Sequence, residues 1–306
     1  MPITPTEKIW MDGALVPWDE ARVHILTHSL HYGSAVFEGI RAYETSKGPA
    51  VFRLTDHIRR LHDSAHIFMM QVPYSVDDLV IACKDTVRSS GLSSCYVRPL
   101  VYRGYGEMGL NPLVAPVNVS IAVWPWGAYL GEEGLRRGVR MTISSWRRHD
   151  PNIIPPAAKG TGQYINSSLA KIEALKGGYD EAIMLNPQGY VAEATGENIF
   201  IVRDGELVTP PLSAGALAGI TRESIMRIAA DLGVAVRECD LMRSELYLAD
   251  EAFLTGTAAE VVPVREIDDR TIGAGEVGPL TKKLQDVFFA AVRGDVEQYA
   301  GWLEHV

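Results

Sequence analysis

The sequence predicts an α+β protein of two domains, and three observations carry that expectation. Its 306 residues exceed the roughly 250–300 at which a single hydrophobic core stops growing. Segments with strand alternation and segments with helical spacing occur in both halves of the chain. Between the halves, GAYLGEEGLRRG at 127–138 holds four glycines, the composition of a linker. The expected division is a small N-terminal domain over 1–126, an interdomain loop over 127–138 and a large C-terminal domain over 139–306.

In chain order, KIWMDGALVPW reads as a hairpin about Asp12-Gly13. The segment VHILTHSLHYGSAVFEGIRAYET follows and ends in strand alternation. FRLTDHIRRLHDSAHIFMM reads as a helix, with N-cap chemistry at Thr55-Asp56 and with Ile58, Leu61, Ala65 and Met69 at helical spacing. SVDDLVIACKDTVRSSGL repeats the pattern, capped by Ser75 and stopped by Gly91. The strands SSCYVRPLVYRG and VNVSIAVWPW complete the first half as a sheet flanked by paired helices.

Beyond the loop, VRMTISSW, EAIMLNPQGYV, ENIFIVRDGELVTP, VAVRECD and EAFLTGT read as short strands. Their turns fall at Asn186-Pro187-Gln188-Gly189 and Arg203-Asp204-Gly205. One helix is expected from about Gly160 through KIEALKGG. A second is TRESIMRIAADLG, capped by Thr221 and closed by Gly233.

Composition excludes several classes of function. Twenty-nine basic residues against 38 acidic ones give a net charge of −9, the wrong sign for a surface that neutralises a nucleic-acid backbone. No stretch approaches the ~18 uninterrupted apolar residues of a spanning helix. The segment MPITPTEKIWMDGALVPW shows no basic leader and apolar core, so a cytoplasmic location is expected. Cys83, Cys95 and Cys239 are scattered and odd in number, which argues against a disulfide framework or a thiolate metal site.

Lysine is scarce, with eight in the chain, and Lys159 alone lies in an apolar, proline-rich setting, SWRRHDPNIIPPAAKGTGQY. Partial desolvation there lowers the ammonium's proton affinity, as a Schiff-base lysine requires, because the free amine is the nucleophile. A lysine beside prolines also reads as a surface residue whose stem covers apolar surface. Leu217-Ala218-Gly219-Ile220-Thr221 runs straight into a helix and offers N–H groups and a hydroxyl to an anion such as phosphate. Leu254-Thr255-Gly256-Thr257-Ala258-Ala259 offers a second nest of donors. Taken singly, each is also an ordinary capped helix or tight turn. Glu193 and Glu197, in YVAEATGENIF, are carboxylates among small strand residues, a setting that asks for a partner such as a pyridinium nitrogen or else an outward-facing strand edge. Tyr164 offers a phenol to a ring hydroxyl, or fills a core.

Taken together these segments resemble the branched-chain amino acid aminotransferases among the class IV, fold-type IV pyridoxal phosphate enzymes. The likeness runs end to end through HYGSAVFEGIRAY, FRLTDHIRRLHDSA, YVRPLVY, GEMGLNP, PWGAYLG, IPPAAKGTGQY, EATGENIFIV, LAGITRESI and FLTGTAAEVVPV. It implies a D-amino acid aminotransferase-like fold of two α+β domains with pyridoxal 5′-phosphate (PLP) between them. It further implies that Lys159 binds the cofactor as a Schiff base and then shuttles the substrate proton. Glu193 would pair with the pyridine nitrogen, Tyr164 with the ring hydroxyl, and Leu217 would pack on the ring. Arg59, Ile220, Thr221 and Thr257 would grip the phosphate, with Glu197 in the same motif.

For the substrate, the resemblance implies an apolar wall of Phe37, Trp126, Tyr129 and Tyr164, with room left by Gly39. Tyr32 and Leu110 would come from a neighbouring subunit, making a homodimer the minimum and a hexamer an alternative. Tyr96, Arg98 and the backbone at Thr257-Ala258 would receive the α-carboxylate, directly or through water, and a hydroxyl and guanidinium at the rim of an apolar pocket would let it take the carboxylate-bearing chain of glutamate as well. The implied reaction is a ping-pong exchange of the amino group between L-leucine, L-isoleucine or L-valine and 2-oxoglutarate. Amino acids and 2-oxo acids are then the partners, with no nucleic acid, membrane or metal.

Competing readings are a D-amino acid or (R)-amine transaminase of the same fold, a cofactor-independent lyase using Lys159, and a noncatalytic binding protein that retains the fold. His57, His62 and His66 are spaced five and then four residues apart without an HExxH motif, so they are expected as helix-surface histidines rather than metal ligands.

Overall fold

The computed structural model describes residues 3–127 and 129–306; Met1, Pro2 and Ala128, the last within the expected linker, lie outside the described residues. Two compact units result. The first comprises residues up to Trp126 together with Ala158–Gln163 and Ala291–Val306, and the second comprises Gly127–Ala157 and Tyr164–Ala290. The first unit thus takes in two stretches from beyond the expected 127–138 boundary. Backbone pairing explains both: Val36 bridges Gly160, and the C-terminal strand Leu303–His305 pairs antiparallel with residues 50–52.

The first unit is built on an antiparallel sheet of eight strands among the described residues. Strands β1 (Lys8–Met11) and β2 (Ala14–Pro17) form the expected hairpin. Its turn is left-handed at Asp12 (φ 43°) and Gly13 (φ 100°), a conformation that Gly adopts without strain and Asp tolerates. Helix α1 (His28–Tyr32) leads to β3 (Ala35–Phe37), β4 (Ile40–Thr45) and β5 (Gly48–Phe52). Helices α2 (Leu54–Ile67) and α3 (Val76–Ser90) precede the long pair β6 (Cys95–Arg103) and β7 (Val117–Trp124).

The two long helices lay apolar faces on the sheet. Leu54, Ile58 and Leu61 of α2 and Leu79, Cys83 and Val87 of α3 join Val36, Ile40, Val97 and Ile121 in one buried core. Ser75 caps α3 through a reciprocal bond with Asp78, and Gly91 ends it at φ 67°, both as expected. Thr55-Asp56 does not cap α2. The cap is Arg53 in left-handed backbone, Asp56 falls in the first turn, and its Oδ2 accepts from Arg53 Nε at 2.6 Å.

In the second unit the glycine-rich stretch is not all loop, because Gly131–Arg137 forms helix α4. Glu132 and Glu133 stand at its positive end and Arg136 and Arg137 at its negative end, which favours the helix despite its glycines. The unit's sheet has nine strands among the described residues, running β10-β9-β8-β15-β14-β11-β12-β13 with β16 beside β15. They are β8 (Val139–Ile143), β9 (Glu181–Leu185), β10 (Val191–Ala194), β11 (Asn198–Arg203), β12 (Glu206–Thr209), β13 (Val236–Glu238), β14 (Glu251–Gly256), β15 (Glu260–Ile267) and β16 (Arg270–Thr271). Most pairs are antiparallel, while β8 runs parallel to β9 and β15, and β13 parallel to β12.

Helices α5 (Tyr164–Lys176), α6 (Ile220–Asp231), α7 (Arg243–Tyr247) and α8 (Pro279–Val292) belong to this part of the chain, with a single 3-10 turn over Leu212–Ala214 between β12 and α6. Gly219, not Thr221, is the N-cap of α6, so Thr221 lies inside the first turn and is buried. The core gathers Met141, Ile183, Ile199, Ile201, Leu254 and Val262. Among the described residues no helix is long and apolar enough to cross a membrane.

Candidate active site

The first unit holds Lys159 by its main chain. The segment 158–163 runs beside β3, where Phe37 N–H donates to Lys159 C=O at 3.1 Å and Thr161 N–H to Ala35 C=O at 2.9 Å. From the other side, Lys159 N–H donates to Ser64 Oγ of α2 at 3.0 Å. The neighbouring position must be glycine, since a Cβ on Gly160 would lie 2.6 Å from the Phe68 ring. Lys159 Nζ stands 5.4 Å from the centroid of the Phe37 ring.

Phe37 also faces Arg98, whose guanidinium carbon is 4.6 Å from the ring centroid, 5.2 Å from that of Tyr96 and 5.7 Å from that of Trp124. Pairing of β4, β6 and β7 assembles this cage, with Arg41 opposite Tyr96 and Tyr96 opposite Trp124. Trp126 packs on Tyr96 at 4.8 Å. Gly39 is required beside them, because a Cβ there would sit 1.9 Å from Tyr96 Oη. Arg98 Nη2 donates to Tyr96 Oη at 3.4 Å, while its Nε is buried with no hydrogen-bond partner among the described residues. The result is an apolar cage carrying one cation with donor capacity to spare.

Next to Phe37 in the chain, Glu38 belongs to a cluster that the sequence did not reveal. His57 is buried, not on the helix surface as expected, and its Nδ1 donates to Glu38 Oε2 at 2.7 Å. Arg60 completes the cluster through Nε and Nη2, at 2.7 and 2.8 Å from the two oxygens of Glu38. Burial alone favours a neutral Glu38, but Arg60 and then His57 outweigh it and hold the carboxyl far below its ordinary range. Burial dominates at His57 and keeps the ring neutral.

The second unit presents Glu193 on β10. Its Oε1 meets Arg148 Nη2 at 2.8 Å, and its Oε2 accepts from Leu217 N–H at 3.0 Å and from Asn198 Nδ2 at 3.4 Å. Asn198 also donates to Leu217 C=O at 3.0 Å, so one amide ties the Glu193 strand to the turn before α6. That turn needs glycine at 219, where a Cβ would lie 2.0 Å from Asn198 Oδ1. Ile220 and Thr221 then open α6 with no side-chain cap. Thr257 and Ala258 follow β14, half-buried, and Thr255 Oγ1 before them is buried with no hydrogen-bond partner among the described residues.

Glu197 sits behind this set. It is buried with Glu181, which accepts from Lys171 Nζ at 2.7 Å and from Thr195 Oγ1 at 2.6 Å. Burial, and then the negative charge of Glu181, push the Glu197 carboxyl up to about 8, against relief from Lys171. Lys171 Nζ also lies 5.6 Å from the ring of Tyr129. Tyr164 begins α5.

Other expected site residues lie outside these constellations. Arg59 on α2 is 67% exposed, 3.9 Å from Asp56, and Tyr32 and Leu110 are exposed. Sequence reasoning missed Arg148, Asn198 and the Glu38, His57 and Arg60 cluster. A signal existed only for the last: an acid between apolar strand residues, and a histidine and arginine three apart on a helix.

A family model for class IV amino-transferases matches residues 35–267. The chain belongs to that family. This class IV aminotransferase is 50% identical over 299 residues to the branched-chain-amino-acid aminotransferase of Escherichia coli K12, covering 97% of each chain. It is 53% identical over 294 residues to that of Pseudomonas aeruginosa PAO1, covering 96% of this chain and 95% of the relative. Among solved structures, the E. coli enzyme matches with a TM-score of 0.96 at 49% identity, over 98% of this chain and 99% of that one. The branched-chain amino acid aminotransferase of Thermobaculum terrenum, solved in its PLP form, matches with a TM-score of 0.92 at 37% identity, over 97% of each chain. The α+β fold of two sheets is that of the class IV aminotransferases.

Proposed function

We propose that this chain is a pyridoxal phosphate-dependent transaminase that exchanges the amino group between L-leucine, L-isoleucine or L-valine and 2-oxoglutarate. The observation that carries this reading is the cage of Phe37, Tyr96 and Trp124 around Arg98, with Lys159 Nζ beside the same Phe37 ring. An apolar cage accepts a branched aliphatic chain, and a guanidinium within it offers a partner to the second carboxylate of glutamate, which is costly to bury unpaired. Identity of 50–53% to branched-chain enzymes along nearly the whole chain supports the substrate class.

The residues fit the cofactor. Glu193 is a buried carboxylate fixed by Arg148 and the Leu217 N–H, and the start of α6, which no side chain caps, and the Thr255 hydroxyl, with no hydrogen-bond partner among the described residues, suit an anion. When bound, pyridoxal phosphate supplies a carbonyl carbon that takes up the amino group and a cationic ring that spreads the electron pair left on Cα. Lys159 carries the proton to and from Cα, its position set by main-chain bonds to Phe37 and Ser64. Glu193 holds the proton on the ring nitrogen, Tyr164 and Leu217 orient the ring, and Arg59, Ile220, Thr221 and Thr257 hold the phosphate. Glu197, as a neutral acid, supports the Glu193 strand. Tyr96, Arg98 and the main chain at Thr257-Ala258 receive substrate carboxylates, while Phe37, Trp126 and Tyr129 exclude water beside the space left by Gly39. The two half-reactions share one site in turn, a ping-pong exchange. The exposed Tyr32 and Leu110 serve a neighbouring copy, so the working unit is at least a homodimer, in the cytoplasm.

The test is an absorbance spectrum of the purified protein with cofactor, in wild type and Lys159→Ala. A band above the protein absorbance that L-leucine removes and 2-oxoglutarate restores, in wild type alone, is the expected result. A band that ignores leucine but is removed by a D-amino acid or an (R)-amine would replace the substrate assignment with the alternative in the same fold. No band at all would refute the cofactor chemistry.

A further inference from the structure

Glu38, His57 and Arg60 form a hydrogen-bonded cluster whose members sit on the segments that hold Lys159. Glu38 follows Phe37, whose N–H donates to Lys159 C=O at 3.1 Å. His57 and Arg60 lie on α2 with Ser64, whose hydroxyl accepts from Lys159 N–H at 3.0 Å. Both main-chain bonds of the lysine therefore end on elements that the cluster ties to each other. An apolar trio of similar volume would join those elements at least as stably, so stability alone does not account for buried charge here.

The cluster also has a defined charge arrangement. Glu38 is an anion and Arg60 a cation, paired at 2.7 and 2.8 Å. With Nδ1–H given to Glu38, His57 keeps a bare Nε2 that is buried and has no hydrogen-bond partner among the described residues. After burial, the attraction of Glu38 works against the ring's neutrality, while the charges of Arg60 and Lys159 reinforce it. Among the described groups, His57 on α2 senses the charge of Lys159 and is bonded with Arg60 to Glu38, which follows β3, while Arg98 on β6 lies against the same Phe37 ring as Lys159 Nζ.

We propose that Glu38, His57 and Arg60 are positioning residues for Lys159: they lock its main chain between β3 and α2, and their fixed charges set the proton affinity of its side-chain nitrogen. This rests on the reading of Lys159 as the cofactor lysine. None of the three touches the reacting atoms in the proposal; they act through the lysine.

The test is the pH titration of the cofactor absorbance band in the holoenzyme, for wild type, Glu38→Gln and Arg60→Gln. Glu38→Gln leaves the Arg60 cation uncompensated and lowers the midpoint by about one unit, and Arg60→Gln removes that cation, with His57 still bonded to Glu38, and raises the midpoint by a smaller amount. Shifts of opposite sign are the signature, since mere loosening of the fold moves both variants the same way. Midpoints that stay in place, or that move together, overturn the proposal. Ser64→Ala, which removes one hydroxyl, provides a variant that does not break the buried ion pair. It is expected to lower kcat about fivefold with KM for leucine nearly unchanged, through looser alignment of the amine. Unchanged kcat would overturn the main-chain part. Ring nitrogen NMR of wild type should show His57 neutral with its proton on Nδ1, and an imidazolium would overturn the charge arrangement. A wild type with no band to titrate refutes the assignment of Lys159 itself, an outcome separate from all of these.

Discussion

Arg148 Nη2 lies 2.8 Å from Glu193 Oε1, with the two side chains only 4% and 8% exposed. Removing one partner of such a pair leaves the other charge buried and uncompensated, whereas removing both charges largely spares the fold. Arg148→Met is thus expected to lower the unfolding free energy by about 3 kcal/mol, and Arg148→Met with Glu193→Gln to recover most of that loss. Activity should not recover with it, because the carboxylate is then missing. Urea unfolding of the two single variants and the double variant, each assayed in parallel, checks both halves of this expectation.

Glu197 makes stability fall with rising pH. Its carboxyl titrates near 4.5 in the unfolded chain and about 8 in the folded one, so between these values the folded state holds the extra proton. The stabilisation is complete below the unfolded value and is lost as pH rises through the folded one. One proton's difference corresponds to a slope of at most about 1.4 kcal/mol per pH unit. Glu197→Gln, which keeps the shape and removes the ionisation, is expected to flatten the decline in Tm between pH 5 and 8. The variant should be the more stable protein at the alkaline end. Parallel declines in wild type and variant would contradict the assignment of the proton to this carboxyl.

What is legible in the sequence, and what is not, separates by range. The Asp12-Gly13 hairpin, the Ser75 cap and the Gly91 stop rest on neighbouring residues and appear as expected. The glycine-rich stretch misleads because four glycines mask the charge order of Glu132, Glu133, Arg136 and Arg137, which is what makes α4 a helix. Thr55 and Thr221 suit caps by residue type, but caps are set by where the backbone leaves helical geometry, at Arg53 and Gly219. Lys159 and Glu193 stand out through unusual neighbours. Arg148 and His57 do not, because their partners are 45 and 19 residues away and only sheet pairing and helix packing bring them together.

Under the proposed function, Arg98 is the element of the apolar cage that would distinguish two substrates. In Arg98→Met the cage keeps its volume and loses its cation, so a branched 2-oxo acid loses less than a dicarboxylate does. A buried carboxylate left without a partner costs several kcal/mol, so kcat/KM for 2-oxoglutarate should fall at least about a hundredfold. For the 2-oxo acid of leucine the expected fall is roughly tenfold or less, since Arg98 still contributes there to a shared carboxylate. Steady-state kinetics with both acceptors decide the point. Equal losses would mean that the guanidinium serves the carboxylate common to all substrates and not the second one of glutamate.

Gly39→Ala tests the tightness of the same wall by a single methyl group. The added Cβ would fall 1.9 Å from Tyr96 Oη, far inside contact distance, and the tyrosine cannot easily yield because its ring is packed against Trp124 at 5.2 Å and Trp126 at 4.8 Å. Gly39 itself does not adopt a positive φ, so the substitution strains the side-chain packing and not the main chain. Overpacking of this kind costs about 1–3 kcal/mol in stability. The displaced phenol also gives up its bond from Arg98 Nη2, which turns the guanidinium within the cage. Misplacement by about an ångström can cost a hundredfold, so kcat/KM should fall by about one to two orders of magnitude for every substrate while cofactor binding persists. Tyr96→Phe with Gly39→Ala removes the clashing oxygen but leaves ring carbon Cζ 2.8 Å from the added Cβ, so it is expected to restore part of the stability without restoring the Arg98 contact. If the double variant is no more stable than Gly39→Ala alone, the phenol is not what requires glycine at position 39.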